Sequence, residues 1–208
     1  MWLRRLRFLR GVRRGRLLDV GCAEGAFLEV AREAGFEALG TELSSHGAAR
    51  TALRLGIPVH CGELTSARFA AGSFSAVTLW HVLEHVVEPG ETLAEARRIL
   101  EPGGRLVVAV PNRRCPVFGA AYRLARGEPL HLYSPDDREQ HLYHWEPRSL
   151  SAALTHHGLD VLELGPDPCA LGTTKIAVDL IGRLHTTMAR EPRTAAMVAV
   201  AQPRGGFS

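Results

Sequence analysis

Short apolar runs rich in valine and leucine alternate along the chain with segments whose apolar residues recur at helical spacing. That alternation is the pattern of parallel strands joined by crossover helices, and it predicts an α/β fold with helices on both faces of a mostly parallel sheet. Phe27, Val30, Ala31 and Ala34 form one helical stripe; Leu150, Ala153, Leu154 and His157 repeat the i, i+3, i+4, i+7 spacing. Gly35, Gly56 and Gly158 each follow a helical pattern and precede an apolar residue, Phe36, Ile57 and Leu159. A glycine there can take the left-handed conformation that ends a helix, and the apolar residue opens the next strand. Strands are expected near 16–20, 36–42, 57–61, 74–80, 104–110, 159–164 and 196–202, the fifth entered by a turn at Glu101-Pro102-Gly103-Gly104.

With 208 residues and 46% hydrophobic content, the pattern suits a single domain over 1–208. No apolar run approaches the ~20 residues needed to span a bilayer, and the basic N-terminus is not followed by the apolar segment of a secretory signal. A cytoplasmic protein is expected. Cys22, Cys61, Cys115 and Cys169 form no C-x-x-C pair, so reduced thiols are expected rather than disulfides or structural zinc. The net charge of +3 is small, but Arg4, Arg5, Arg7, Arg10, Arg13, Arg14 and Arg16 all precede the first acidic residue. With Trp2, Leu3, Leu6 and Leu9 among them, the segment reads either as a basic amphipathic helix making weak contact with an anionic surface or as a solvated helix over the sheet edge.

Leu17-Leu18-Asp19-Val20-Gly21-Cys22-Ala23-Glu24-Gly25 runs from a buried strand through a glycine-bounded loop into a helix. Gly21 lets a ligand approach the backbone and Gly25 allows a tight entry to the helix. The loop does not complete G-x-G-x-x-G, whose middle glycine admits a pyrophosphate, so a cofactor without phosphate is favoured over a nicotinamide dinucleotide. Gly40-Thr41-Glu42-Leu43 then places a carboxylate at the end of the neighbouring strand, where it can accept hydrogen bonds from two ribose hydroxyls.

These motifs, with Cys61-Gly62-Glu63-Leu64, the run Phe74 to His85 and Leu100-Glu101-Pro102-Gly103-Gly104-Arg105-Leu106, make the chain resemble class I S-adenosylmethionine-dependent methyltransferases, in the small-molecule group that includes quinone-biosynthesis enzymes. The resemblance implies a Rossmann-like seven-stranded sheet whose last strand, near 196–201, is antiparallel. It implies S-adenosylmethionine as cofactor, S-adenosylhomocysteine as product and a small-molecule acceptor with an O-, C- or N-nucleophile. Residue by residue, it makes Asp19, Gly21, Cys22, Ala23 and Gly25 the methionine-side loop and Glu42, beside Leu43, the ribose ligand. Glu63 and Leu64 would face the adenine. Trp80 and His81 would flank the methionyl part, Trp80 alternatively plugging the sheet edge as a core aromatic. Cys22 reads as a loop filler rather than a nucleophile, since no neighbouring cation is evident to lower its pKa. Nucleic acid is not expected as a specific partner, because base-modifying relatives carry an Asn/Asp-Pro-Pro-aromatic run where this chain has Leu-Trp-His.

Two rivals stand beside this reading. His81-Val82-Leu83-Glu84-His85 matches H-x-x-E-H, in which two histidines on one helix bind zinc for peptide hydrolysis. No metal is expected if the cofactor reading holds. The other rival is a member of the fold that binds cofactor or a partner without turnover. For a hydroxyl acceptor a base is useful, and His141, His81 and His85 are the candidates. Residues 111–146, too long for an ordinary connection and holding Phe118, Tyr122, Tyr133, His141, Tyr143, His144 and Trp145 around a Ser134-Pro135-Asp136-Asp137 tip, read as an acceptor lid or as a gap-filling surface loop. Only 16 residues precede Leu17, so the acceptor is expected to be recognised elsewhere than by a large N-terminal cap.

Overall fold

The computed structural model describes residues 2–115, 123, 141–167, 192 and 194–205. A 3-10 helix, Trp2–Leu9, leads into β1 (Arg16–Val20), α1 (Ala26–Glu33), β2 (Glu37–Glu42), α2 (Ser45–Leu55) and β3 (Val59–Cys61). A short 3-10 turn, Leu64–Ala67, precedes β4 (Phe74–Trp80), α3 (Pro89–Ile99) and β5 (Leu100–Pro111). Then come α4 (Pro147–His156), β6 (Leu159–Pro166) and β7 (Ala196–Pro203). The strands form one sheet in the order β3-β2-β1-β4-β5-β7-β6. β1 pairs in parallel with β2 and β4, and β4 with β5, whereas β7 runs antiparallel between β5 and β6. The antiparallel strand is the one the resemblance implies.

Alternation along the strands divides the core into two layers. Leu18, Val20, Val77, Leu79, Leu106 and Val108 meet Leu93 and Ile99 of α3 and Leu150 and Leu154 of α4. Leu17, Ala76, Val107 and Val198 point the other way, toward Phe27, Leu28 and Ala31 of α1. α1 thus buries Leu28 in addition to the expected stripe, while Val30 is only half-buried. Every residue of β4 is buried, as a central parallel strand requires.

Boundaries shift where backbone chemistry demands it. The third strand begins two residues later than expected, at Val59, because Pro58 has no N–H for the ladder. The expected turn at 101–104 exists within β5: pairing jumps from Leu100 opposite Phe74 to Arg105 opposite Ala76. The intervening residues bulge out, with Gly103 at φ +78.

The arginine-rich segment corrects both readings of it at one position. Arg5, Phe8 and Leu9 are buried, and Phe8 and Leu9 join the layer containing α1. Arg5 therefore belongs neither to a solvated face nor to one presented to an anionic surface. No helix among the described residues is long and apolar enough to cross a membrane.

Candidate functional site

In this strand order the chain reverses direction of growth between β1 and β4, and the crevice outside the carboxyl ends of those strands is where such sheets bind ligands. A cleft of about 270 Å³ lies there, lined by Gly21, Glu42, Leu43, Glu63, Leu64 and His81 among others. A larger open cleft of about 680 Å³ runs past Arg148, Thr155 and Leu164. That one sits by α4 and β6, away from the glycine loop, so convergence of polar groups rather than volume picks out the smaller cleft.

The loop after β1 has the close approach its glycines predict. Gly21 sits at φ +66, and a β-carbon there would lie 2.6 Å from Val82 Cγ2. Gly25 caps α1 at φ +76, where a β-carbon would meet Leu55 Cδ1 at 2.5 Å. Ala23 also takes a left-handed conformation, φ 47, at the turn between them. Cys22 is buried and tucks its sulfur over Gly40, consistent with a filler. Burial, with the charges of Asp19 and Glu42, pushes its thiol up to about 12, so it is a poor nucleophile.

Glu42 closes the loop from the next strand. Its Oε2 accepts the Ala23 N–H at 3.0 Å and its Oε1 the Ser44 N–H at 2.9 Å. A carboxylate has about four acceptor sites, so two remain for hydroxyls of a ligand. Leu43, 69% exposed, and the buried Leu64 stand at the apolar end of the cleft, and Glu63 lies beside them. Asp19 is not among the lining residues. It is buried and accepts a hydrogen bond from Thr78 Oγ1 at 2.7 Å. Burial raises its carboxyl to about 7, against the opposing pull of Thr78 and Arg5.

Trp80 likewise stands apart from the cleft walls, in the core role held open for it. Its ring packs edge-on against Phe27 at 5.1 Å, beside Phe8, under the Arg5 guanidinium. His81, the next residue, does face the cleft. It adopts φ 58, and its N–H still donates to Ala109 O at 2.9 Å. Nε2 lies 3.2 Å from Asp167 Oδ2 and Nδ1 3.6 Å from Glu84 Oε1. Burial alone would lower the His81 pKa, but the hydrogen bond to Asp167 and the nearby charges of Glu84 and Asp167 outweigh it and hold the ring at about 9.

This geometry does not support the zinc-peptidase reading. Residues 81–85 form no helix, and His81 is turned toward Asp167 instead of pairing with His85. A different trio forms: Glu84, His85 and His141 bring ligand atoms within 4.8 Å of one another, a set that can hold a divalent cation. The described end of the proposed lid is anchored here, since Leu142 and Tyr143 donate their N–H groups to Glu84 O at 2.8 and 3.1 Å. His141 consequently meets His85 with ring centroids 4.9 Å apart. Tyr143 donates its hydroxyl to Val87 O, while Trp145 is core. Phe118, Tyr122, Tyr133 and the tip at 134–137 lie outside the described residues, as does Cys169.

A family model described as a methyltransferase domain matches residues 2–164. The chain belongs to the methyltransferase-domain family. This methyltransferase-domain protein is 35% identical over 112 residues to the ubiquinone biosynthesis O-methyltransferase of Caulobacter sp. (strain K31), a match covering 51% of this chain and 44% of that one. It is 28% identical over 155 residues to the enzyme of the same name from Aromatoleum aromaticum, covering 72% and 65%. The chain spans about half the length of the curated relatives it matches. An S-adenosylmethionine-dependent methyltransferase from Mesorhizobium loti shares the fold, with TM-score 0.63, 20% identity and 96% and 94% of the two chains covered. Sequence reasoning missed Arg5 and Asp167 as partners of the site; Asp167 follows the sixth strand with no motif around it, and only its burial marks it.

Proposed function

We propose that the protein transfers a methyl group from S-adenosylmethionine to a hydroxyl of a small molecule, leaving S-adenosylhomocysteine. The observation that carries this reading is Glu42, which sits at the end of β2 with both oxygens turned onto backbone N–H groups and acceptor capacity left over. A ribose diol fits that capacity. The methionyl part would lie along Gly21 beneath Val82, and adenine between the exposed Leu43 and Leu64, with Glu63 near its amino group. Asp19 acts from below by holding the loop, and Trp80 by filling the layer under it.

The cofactor, when bound, supplies an electrophilic sulfonium methyl. The residues of this chain then have to bring the acceptor oxygen to within about 3–3.5 Å in line and take its proton. His85 lines the cleft and His141 meets it edge-on, so one of these two imidazoles serves as base. His81 is unsuited, because both its nitrogens face carboxylates and its proton is held tightly. The segment 111–146 contributes the acceptor side, and the whole chain acts as a single domain. A hydroxyl acceptor is favoured by the name of the curated relatives, ubiquinone biosynthesis O-methyltransferase. A cytoplasmic location accords with the free thiols Cys22 and Cys61.

Incubation with S-adenosylmethionine and a panel of phenols and catechols tests the reading. A 14-mass-unit gain on an acceptor supports it. Tight binding of S-adenosylhomocysteine with no product across the panel would favour a member that binds without turnover.

A further inference from the structure

Arg5 is 2% exposed although it stands in a run of arginines with mostly solvated neighbours. Its guanidinium carbon lies 4.5 Å from the centre of the Trp2 ring and 4.3 Å from that of Trp80. Nη2 donates to Asp167 Oδ2 at 2.8 Å. Asp167, 1% exposed, leaves the end of β6 and fixes its backbone by donating to Ala196 O at 3.1 Å. The same Oδ2 is the atom that meets His81 Nε2 at 3.2 Å. Two residues, from the N-terminal helix and the end of β4, thus share one oxygen of a third at the end of β6.

Two physical facts make this more than an incidental ion pair. Taking a guanidinium and a carboxylate out of water is costly, and a well-packed apolar pair would often serve stability as well. A non-glycine residue at φ 58 is strained by on the order of 1–3 kcal/mol and persists only when its surroundings over-determine it. The strained residue is the one that faces the cleft next to Gly21 and Val82.

We propose that Arg5 and Asp167 are positioning residues: through the shared Asp167 oxygen, the N-terminal helix and the end of β6 hold the His81 ring as the wall against which the methionyl end of the cofactor settles. The inference rests on reading the cleft as the S-adenosylmethionine site. It makes the N-terminal helix part of the binding apparatus without direct contact, since Arg5 acts only through Asp167 and His81. The consequence is ground-state binding, so the cofactor KM should move while kcat stays.

The test uses the full chain carrying Arg5→Met, Asp167→Asn, the double substitution, and Arg5→Lys. Binding of S-adenosylhomocysteine is measured by calorimetry, KM and kcat with a working acceptor, and the His81 imidazole N–H by 1H–15N spectroscopy. Arg5→Met and Asp167→Asn should each weaken binding at least ~10-fold, with kcat at saturating cofactor within about threefold. The double variant should bind no more weakly than the worse single one, because both act along one chain of contacts. Arg5→Lys should recover most of the affinity. The His81 N–H signal should move in Arg5→Met, because Arg5 and His81 meet the same Asp167 oxygen. Unchanged affinity in folded variants would overturn the proposal, and so would additive losses, which point to Arg5 touching the ligand itself. If Arg5→Met does not fold, Asp167→Asn and Arg5→Lys still decide between these outcomes. If the parent binds no S-adenosylhomocysteine, the cofactor reading fails, while an unmoved His81 signal separately rejects the coupling.

Discussion

The Glu42 carboxylate reaches back across the sheet to the Ala23 N–H at 3.0 Å, tying the end of β2 to the turn that enters α1. The acid proposed to hold the ribose therefore also shapes the loop proposed to hold the methionyl part. Glu42→Ala should weaken S-adenosylhomocysteine binding by about 2 kcal/mol, from lost charge-assisted hydrogen bonds. Glu42→Gln, which keeps an acceptor for one N–H, should lose less. Calorimetric titration of both variants checks this, and an unchanged dissociation constant in Glu42→Ala would remove the residue from the site.

Gly25 has no room for a side chain, and its φ of +76 is unfavourable for any other residue. Gly25→Ala should lower stability by about 1–3 kcal/mol through overpacking against Leu55 and Thr51 and through backbone strain. Urea unfolding followed by tryptophan fluorescence measures it. Gly56, also left-handed but with open space around its α-carbon, is the control: Gly56→Ala should cost less.

Asp19 is held with its pKa near 7, above the ordinary 3.8. A group raised in the fold contributes stability that is complete below the unfolded value and is lost as pH rises through the folded one. The window is thus about pH 4 to 7. Asp19→Asn keeps an acceptor for Thr78 and removes this titration, so stability measured across the window should fall less steeply in the variant than in the parent. Parallel slopes in the two proteins would show that folding does not raise the Asp19 pKa.

Native protein treated with iodoacetamide at pH 8 should be labelled at the exposed Cys61 and spared at Cys22, which is buried and whose thiol is pushed up to about 12. Peptide mass mapping before and after unfolding reads both sites. Labelling of Cys22 in the folded protein would mean that the loop opens readily.

His141→Ala should reduce methyl transfer at least ~10²-fold if it is the base, with little change in cofactor affinity. The same experiment on His85→Ala separates the two adjoining imidazoles, because only the one that takes the proton loses its limb of the pH–rate profile. Near-normal turnover in both variants would reject a histidine base at this corner.

Much of this molecule was legible before folding. The helical stripes, the seven strand segments, the glycines at 21 and 25 and the acid at 42 depend on backbone conformation and local period, which neighbouring residues set. Their places in the structure differ from expectation mainly at Pro58 and at the bulge after Leu100, where backbone hydrogen bonding moved a boundary. The charge pairing behind His81 was not legible. Arg5 and Asp167 are 162 positions apart, and nothing in the spacing of either marks a partner.

The sequence by itself determined the class of fold and the outline of the cofactor loop, because periodicity, glycine placement and a carboxylate at a strand end act within a few residues. Only the tertiary structure decided that Trp80 belongs to the core, that His81 is held by Asp167 and strained, and that His141 comes to rest on His85. Each of those outcomes depends on which buried charges and rings share a few ångströms once the sheet has closed, and burial makes such pairings costly to leave unmade while local pattern leaves them unspecified.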